Sequence, residues 1–439
     1  MKADDRLCWL LCFSAVVGSS VGYSKIWLFH IVFLAYILLR GRSLANDGYK
    51  LLTTPVTGDV LKLLLAFGGW YFLSGAWALN GWYWARYMGY LMLGGGLLLA
   101  VVCCAPSEDA YSRVLRALKL AFLFALMLGL LEAFTSFRWP TSPYSDHAPV
   151  FAREAIDYSR FERDAQAMLR SSPTSLWGNP NAFALAMVMV SPYFMLHSRR
   201  WLGLLGLTAI SVVVIMTGSR GAMAGYLVGL ALCLLWLRYE HVVALIFLVL
   251  CGIMVAPLVK SSVYAESPRL AQISTLPGDL GRYFAPLEPT APLVGDSIDV
   301  RKGVARRGIA AFMETGGRGV GAGGSQAVLE AGQEGRGVSS MHNFWIEVLV
   351  DGGVIAILLV CALFALCGAR LRKILIGSGS DFCRDQARIL VLSLVIFAVG
   401  CVSVSSPIYF LPMWILLGLS VALIEIDRRG AVVDGPHEP

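Results

Sequence analysis

Three ionisable side chains, far apart along the chain, carry the chemistry of anion binding and proton transfer. Arg220 lies in MTGSRGAMAG (216–225), Arg301 in SIDVRKGVARRGIAAFMETGG (297–317), and His342 in MHNFWIEVLVDGG (341–353). A guanidinium keeps its charge and forks onto phosphate oxygens. An imidazole titrates near neutrality and can take a proton from a hydroxyl. Each also has a plainer explanation. Arg220 could be an interfacial arginine on lipid head groups, Arg301 the solvated face of a basic helix beside Arg306 and Arg307, and His342 a helix-start histidine satisfied by backbone. The glycines beside Arg220, Gly218 and Gly221, allow a backbone or a ligand to come close. Glu347 and Asp351 follow His342 in the same segment. Asp351 with Gly352 and Gly353 reads as a turn.

A polytopic membrane protein must position these groups. Of the 439 residues, 57% are hydrophobic and 15% charged, and mean hydropathy is +0.67. A soluble domain carries roughly 25% charged residues. The net charge of +7 is therefore not a nucleic-acid signal, because in membrane chains the location of Lys and Arg matters more than their sum. The first apolar run lacks a clear small-residue cleavage site and reads as a first span. Apolar runs near the roughly 20 residues that cross a bilayer predict about twelve spans. They fall near 7–23, 26–40, 58–78, 82–104, 114–135, 178–197, 201–217, 221–237, 241–258, 342–369, 387–403 and 406–425. Alternate loops are basic, which predicts cytoplasmic termini and places long loops near 135–177 and 261–341 on the outer face. The division is thus 1–260 (spans one to nine), 261–341 (large outer loop with amphipathic helices) and 342–439 (spans ten to twelve and a short tail).

By this topology Arg220, Arg301 and His342 share the outer face. A straight helix from His342 to Ala369 would be about 42 Å long, more than a hydrocarbon core of roughly 30 Å. DGG is therefore expected to mark a kink, with His342 to Val350 projecting above the lipid core. In SLWGNPNAFA (175–184), Pro180 presets a helix start and Asn179 is a candidate cap. Asn179 or Asn181 could instead bind a sugar. His30 reads as a core histidine, and His147 has no assigned role. Nine of the ten cysteines lie in apolar runs and none in the long polar loops, so neither a disulfide framework nor a metal site is expected.

Four stretches occur in order: GNPNAFALAM (178–187), TGSRGAMAGYLVGL (217–230), VRKGVARRGIAAFMETGGRGVGAGG (300–324) and HNFWIEVLVDGGVIAIL (342–358). Together, on about twelve spans with a large outer loop before the tenth, they resemble the O-antigen ligase and polymerase superfamily of bacterial inner membranes. Chain length and the short C-terminal tail look most like an O-antigen ligase. The resemblance implies a GT-C-type, metal-independent, inverting glycosyltransferase without cofactors. It would move polysaccharide from an undecaprenyl-diphosphate donor to a lipid A–core acceptor at the periplasmic face. The family's functional positions fall on Arg220, Arg301 and His342. Where the family often has an aromatic after the loop arginine, this chain has Arg306–Gly308, so Arg306 is a second candidate for diphosphate binding. Asn179, Asn181 and Glu347 are weaker substrate-binding candidates. A polymerase, a protein O-oligosaccharyltransferase and a polysaccharide transporter or flippase are the rival readings. A transporter would carry charges deep in its spans or paired broken helices.

Overall fold

The computed structural model describes residues 3–18, 20–157, 166, 169–237, 297–331, 340–404 and 407–433. It is nearly all α-helical. The helices are α1 (Ala3–Val17), α2 (Leu28–Thr53), α3 (Thr57–Leu73), α4 (Gly81–Cys104), α5 (Glu108–Phe134), α6 (Pro180–Val190), α7 (Pro192–Met195), α8 (Arg200–Thr217), α9 (Arg220–Leu232), α10 (Ser297–Glu314), α11 (Gly324–Ala331), α12 (Phe344–Gly377), α13 (Asp381–Gly400) and α14 (Leu411–Val433). Between α1 and α2, Gly22–Tyr23 pairs antiparallel with Ile26–Trp27, so the first helix stops short of the expected 7–23 span. Among the described residues, six helices are long and apolar enough to cross a bilayer: α2, α4, α5, α8, α12 and the stretch Asp381–Ser403 that contains α13. Two shorter apolar stretches, Pro180–Met195 and Arg220–Leu235, stand beside them. The expected span at 241–258 and the loop stretch 259–296 lie outside the described residues.

Polar side chains placed just before apolar runs open several helices. The oxygen of Asn80 accepts from the Trp82 and Tyr83 N–H groups at 2.9 and 3.1 Å. Ser107 caps α5, Asn179 caps α6, Asn343 caps α12 and Ser380 caps α13. Each satisfies amide donors that a helix start leaves open. His30 is half-buried in the first turn of α2, where Nδ1 accepts from the Trp27 N–H at 3.3 Å. It serves the helix start rather than the core, because the hairpin shifts the beginning of α2 toward it.

Small residues set the helix contacts, as expected where lipid removes the hydrophobic drive between helices. A Cβ on Gly225 would lie 2.6 Å from the Ile396 carbonyl oxygen, and one on Gly221 would lie 2.6 Å from Ser403 Oγ. One glycine face of α9 thus presses onto the C-terminal half of α13 and the turn after it. Gly94 of α4 leaves room for the indole of Trp414 in the first turn of α14. Trp414 donates to the Ile408 carbonyl at 2.7 Å. Gly94 lies midway along α4, so α14 begins well below the end of the bundle where α4 starts. The preceding short 3-10 turns, Cys401–Ser403 and Pro407–Tyr409, lead down to it. The expected twelfth span, 406–425, is therefore not one helix. Its described part begins with the 3-10 turn Pro407–Tyr409, and the α-helix starts at Leu411.

The kink in α12 occurs at Gly353 (φ 70, ψ −165). The glycine-rich ribbon after α10 is laced onto it. Val320 N–H donates to Val350 O at 2.8 Å, Gly321 N–H to Asp351 O at 2.9 Å, and Val354 N–H to Gly317 O at 3.0 Å. Trp70 and Trp77 add indole bonds to the carbonyls of Gly352 (2.6 Å) and Gly319 (3.2 Å). Val304, Val320, Leu329, Met341 and Val350 form a small separate core that joins α10, α11 and the start of α12.

The loop after α5 has its own fastening. Buried Glu132, near the end of α5, accepts from the N–H groups of Thr174 (2.7 Å), Ser175 (2.8 Å) and Trp139 (3.1 Å), and pairs with Arg138 at 3.4 Å. The opposite end of the bundle is tied by Glu425, which receives Thr57, Arg428 and Arg429, and by Glu108, which receives Ser380 Oγ at 2.6 Å. Cys8 and Cys104 form a disulfide between α1 and α4, with Cα atoms 5.7 Å apart. This corrects the expectation of no disulfide. Both cysteines lie in apolar runs, where spacing along the chain carries no pairing signal.

Gly353→Ala places a Cβ 2.4 Å from the Arg318 carbonyl carbon and the Gly317 oxygen, at a φ that a side chain strains. It is expected to destabilise the protein by about 1–3 kcal/mol. Gly368→Ala, in the same helix with nothing within 4 Å of its Cβ, is expected to be neutral or slightly stabilising. Thermal unfolding of both variants in detergent measures the contrast.

Candidate active site

The Arg220 turn is rigid for local reasons. α8 ends on Gly218 in the left-handed conformation (φ 66), whose N–H bonds Ile215 O at 3.0 Å. Ser219, fully buried, begins α9 and shares a hydrogen bond with Ser403 Oγ at 3.2 Å. Arg220 is the first residue of α9 and half-buried. Its backbone position is thereby set by the turn that follows α13.

His342 is set by the same end of α13. Asn343 caps α12 by accepting from the Trp345 and Ile346 N–H groups at 3.1 and 3.2 Å. Phe344 packs on Phe397, with ring centroids 5.9 Å apart, and Trp345 Nε1 donates to Ala398 O at 2.9 Å. His342 itself is half-buried and left-handed (φ 49). That conformation is uncommon for a residue with a side chain, and its N–H is received by Ser340 Oγ at 3.3 Å. Two neighbouring helices, α9 and α12, thus begin against the final turns of one helix and carry Arg220 and His342 there.

α10 brings the third group. Its buried Val304 lies in the core shared with Met341 and Val350, and Gly308 lets Met341 close in, 2.7 Å from where a Cβ would be. Arg301 is close enough to act on His342 electrostatically. Burial, and then the Arg301 charge, lower the imidazole from its ordinary 6.5 to about 4. Lys302, Arg306 and Arg307 continue the half-buried cationic face of α10, and one terminal nitrogen of Arg307 is enclosed without a hydrogen-bond partner among the described residues. At neutral pH the arrangement offers fixed cations beside a neutral imidazole, a combination suited to an anionic group next to a proton acceptor.

The acidic residues of this segment are turned to other work. Asp351, fully buried, accepts from Gly323 N–H at 3.0 Å and Ser325 N–H at 2.7 Å, and so anchors the start of α11. It is more than a turn residue: it clamps the segment between α10 and α11 to α12. Glu347, also buried, receives the Tyr87 hydroxyl at 3.0 Å. Asn179 is a cap, its side-chain oxygen accepting from Asn181 N–H at 2.7 Å, and Asn181 is half-buried behind it. Among the described residues no three His, Cys, Asp or Glu side chains gather closely enough to hold a metal ion.

Sequence reasoning passed over several residues here. Asn343 fixes the helix start next to His342, and Ser403 ties down the Arg220 turn. Below the site, Tyr87, Tyr90 and Tyr409 form a chain with ring centroids 5.8 and 5.2 Å apart. The spacing of Tyr83, Tyr87 and Tyr90 along α4 was a readable helical stripe. Tyr409 was not readable, because it stands in the short 3-10 turn before α14.

Residues 204–361 match the family model described as O-antigen ligase. The matched stretch runs from α8 into α12 and includes Arg220, Arg301, Arg306, His342 and Glu347; Asn179 and Asn181 fall outside it. No curated protein matches the chain. A lowered imidazole has a consequence that can be measured independently of activity. Neutral His342 stabilises the fold above pH 6.5, and that contribution is lost as pH falls toward about 4. In 15N-histidine-labelled protein, His342 is expected to titrate near pH 4, and Arg301→Gln should move its midpoint upward. An unmoved midpoint would separate the two residues.

Proposed function

We propose that this chain, whose residues 204–361 match the family model described as O-antigen ligase, is an O-antigen ligase of the GT-C type. It would transfer polysaccharide from undecaprenyl diphosphate to lipid A–core oligosaccharide on the periplasmic face of the bacterial inner membrane. The observation that carries this reading is the meeting of a neutral histidine, His342, with the cationic face led by Arg301, at the end of α13 that also fixes Arg220.

The donor's diphosphate docks between Arg220 and the Arg301 face of α10, with Arg306 as a further contact. His342 takes the proton from an acceptor hydroxyl as that oxygen bonds to the anomeric carbon. The bond from that carbon to the diphosphate oxygen breaks on the far side, which gives inversion. The arginines offset the charge gathering on the leaving diphosphate, work that a metal ion does in other transferases. A base held near 4 is weak at pH 7. A bound diphosphate offsets the Arg301 charge that helps to depress His342, so donor binding itself raises the basicity of the imidazole. Asp351 and Glu347 hold the scaffold beneath, and neither is assigned a proton-transfer step.

Lipopolysaccharide from cells lacking the protein, complemented with wild type, His342→Ala or Arg220→Ala, tests the reading. Wild type is expected to restore a ladder of long chains. His342→Ala should restore none, and Arg220→Ala should lose about 10²–10³ in rate, with each variant present in the membrane at wild-type level. A null strain whose core keeps a single repeat unit would make the protein the polymerase. Unchanged lipopolysaccharide would move the acceptor to another molecule, a secreted glycoprotein first. Full activity in either variant would remove that residue from the mechanism.

A further inference from the structure

A cavity of about 260 Å³ lies within the bundle among α5, α6, α7, α13 and α14. Leu118, Phe122 and Leu126 form one wall, Leu390 another, and Leu416 and Leu419 a third. This is not the candidate active site. Lys119 and His197, at its polar end, belong to the first half of α5 and the turn before α8. The start of α5 is tied through Glu108 to the start of α13, whereas His342 and Arg220 sit at the other end of α13. The cavity therefore opens toward the opposite membrane face.

Its polar end is specific. Lys119 is exposed at the mouth, with Nζ 5.0 Å from the centroid of the Tyr193 ring. The Tyr193 hydroxyl is buried and has no hydrogen-bond partner among the described residues. An enclosed hydroxyl without an acceptor is costly, so this group calls for one. His197 lies on the same rim, its Nδ1 accepting from Arg199 N–H at 3.0 Å. An apolar slot that ends in an ammonium complements an amphiphile with an anionic head. Lysine at this level reaches the head-group region while its stem stays against apolar surface.

We propose that this cavity binds an anionic glycerophospholipid from the leaflet opposite the candidate active site. One acyl chain fills the slot between α5 and α14, and the phosphate takes the charge of Lys119 at the mouth, beside the Tyr193 ring. The bound lipid cements α5, α7 and α14, three helices that otherwise leave a void.

The test is lipid retention by the full-length protein, purified in detergent, exchanged into mixed phosphatidylglycerol and phosphatidylcholine micelles, and examined by native mass spectrometry. Wild type is expected to hold one phosphatidylglycerol per chain in preference to phosphatidylcholine. Lys119→Gln removes one charge from an exposed position and should weaken phosphatidylglycerol retention about fivefold, leaving phosphatidylcholine unchanged. Leu123→Trp, at the half-exposed rim, should exclude both lipids. Size-exclusion profiles like wild type's confirm that the variants are folded. Equal retention of the two lipids by wild type, or phosphatidylglycerol retention unaffected by both substitutions, would overturn the proposal.

Discussion

The candidate site depends on one backbone contact, the lacing of the ribbon at 317–321 onto the break in α12. Both sides of that contact lack side chains where they meet. A Cβ on Gly319 would sit 2.5 Å from Gly353 N, and one on Gly353 would sit 2.4 Å from Gly317 O. Only because both are glycine can the amides and carbonyls exchange hydrogen bonds at this depth. The carboxylate of Asp351 then secures the next turn through Gly323 and Ser325. With the ribbon held, α10 and α11 close over the start of α12, and Arg301 comes within electrostatic reach of His342. A loop that would otherwise wander thus becomes one wall of a site.

Burying Asp351 and Glu347 among hydrogen-bond donors also gives the site its sign. The two carboxylates that follow His342 on α12 are engaged in holding amides and a tyrosine hydroxyl. The cations of α10 stay half-exposed. An anion approaching this end of the bundle meets the half-buried cations of α10 beside His342. The lowered imidazole follows from its burial and then from the Arg301 charge.

Much of this was legible in the residues. Apolar runs gave most of the helices, and the excess length after His342 predicted the kink at DGG. Asn179 before Pro180 announced a helix start. Topology put the arginine and histidine motifs on one face, and Arg301 does act on His342. Less visible were features that depend on partners distant in sequence. Glu132 reads as an isolated acid near the end of an apolar run, and only the fold shows it collecting three amides from residues 139–175. Cys8 and Cys104 look like two of many core cysteines. The run at 406–425 has the composition of a full span, yet Trp414 seated on Gly94 starts its helix midway down the bundle. Hydropathy reports where backbone can be buried, not whether neighbouring protein has already satisfied it.

α13 serves both halves of the site, since α9 leans on it through Gly221 and Gly225 and α12 through Trp345 and Phe344. The Arg220 turn and His342 are then related through one helix end, not through a flexible loop. A change that shifts the last turns of α13 would therefore move both together.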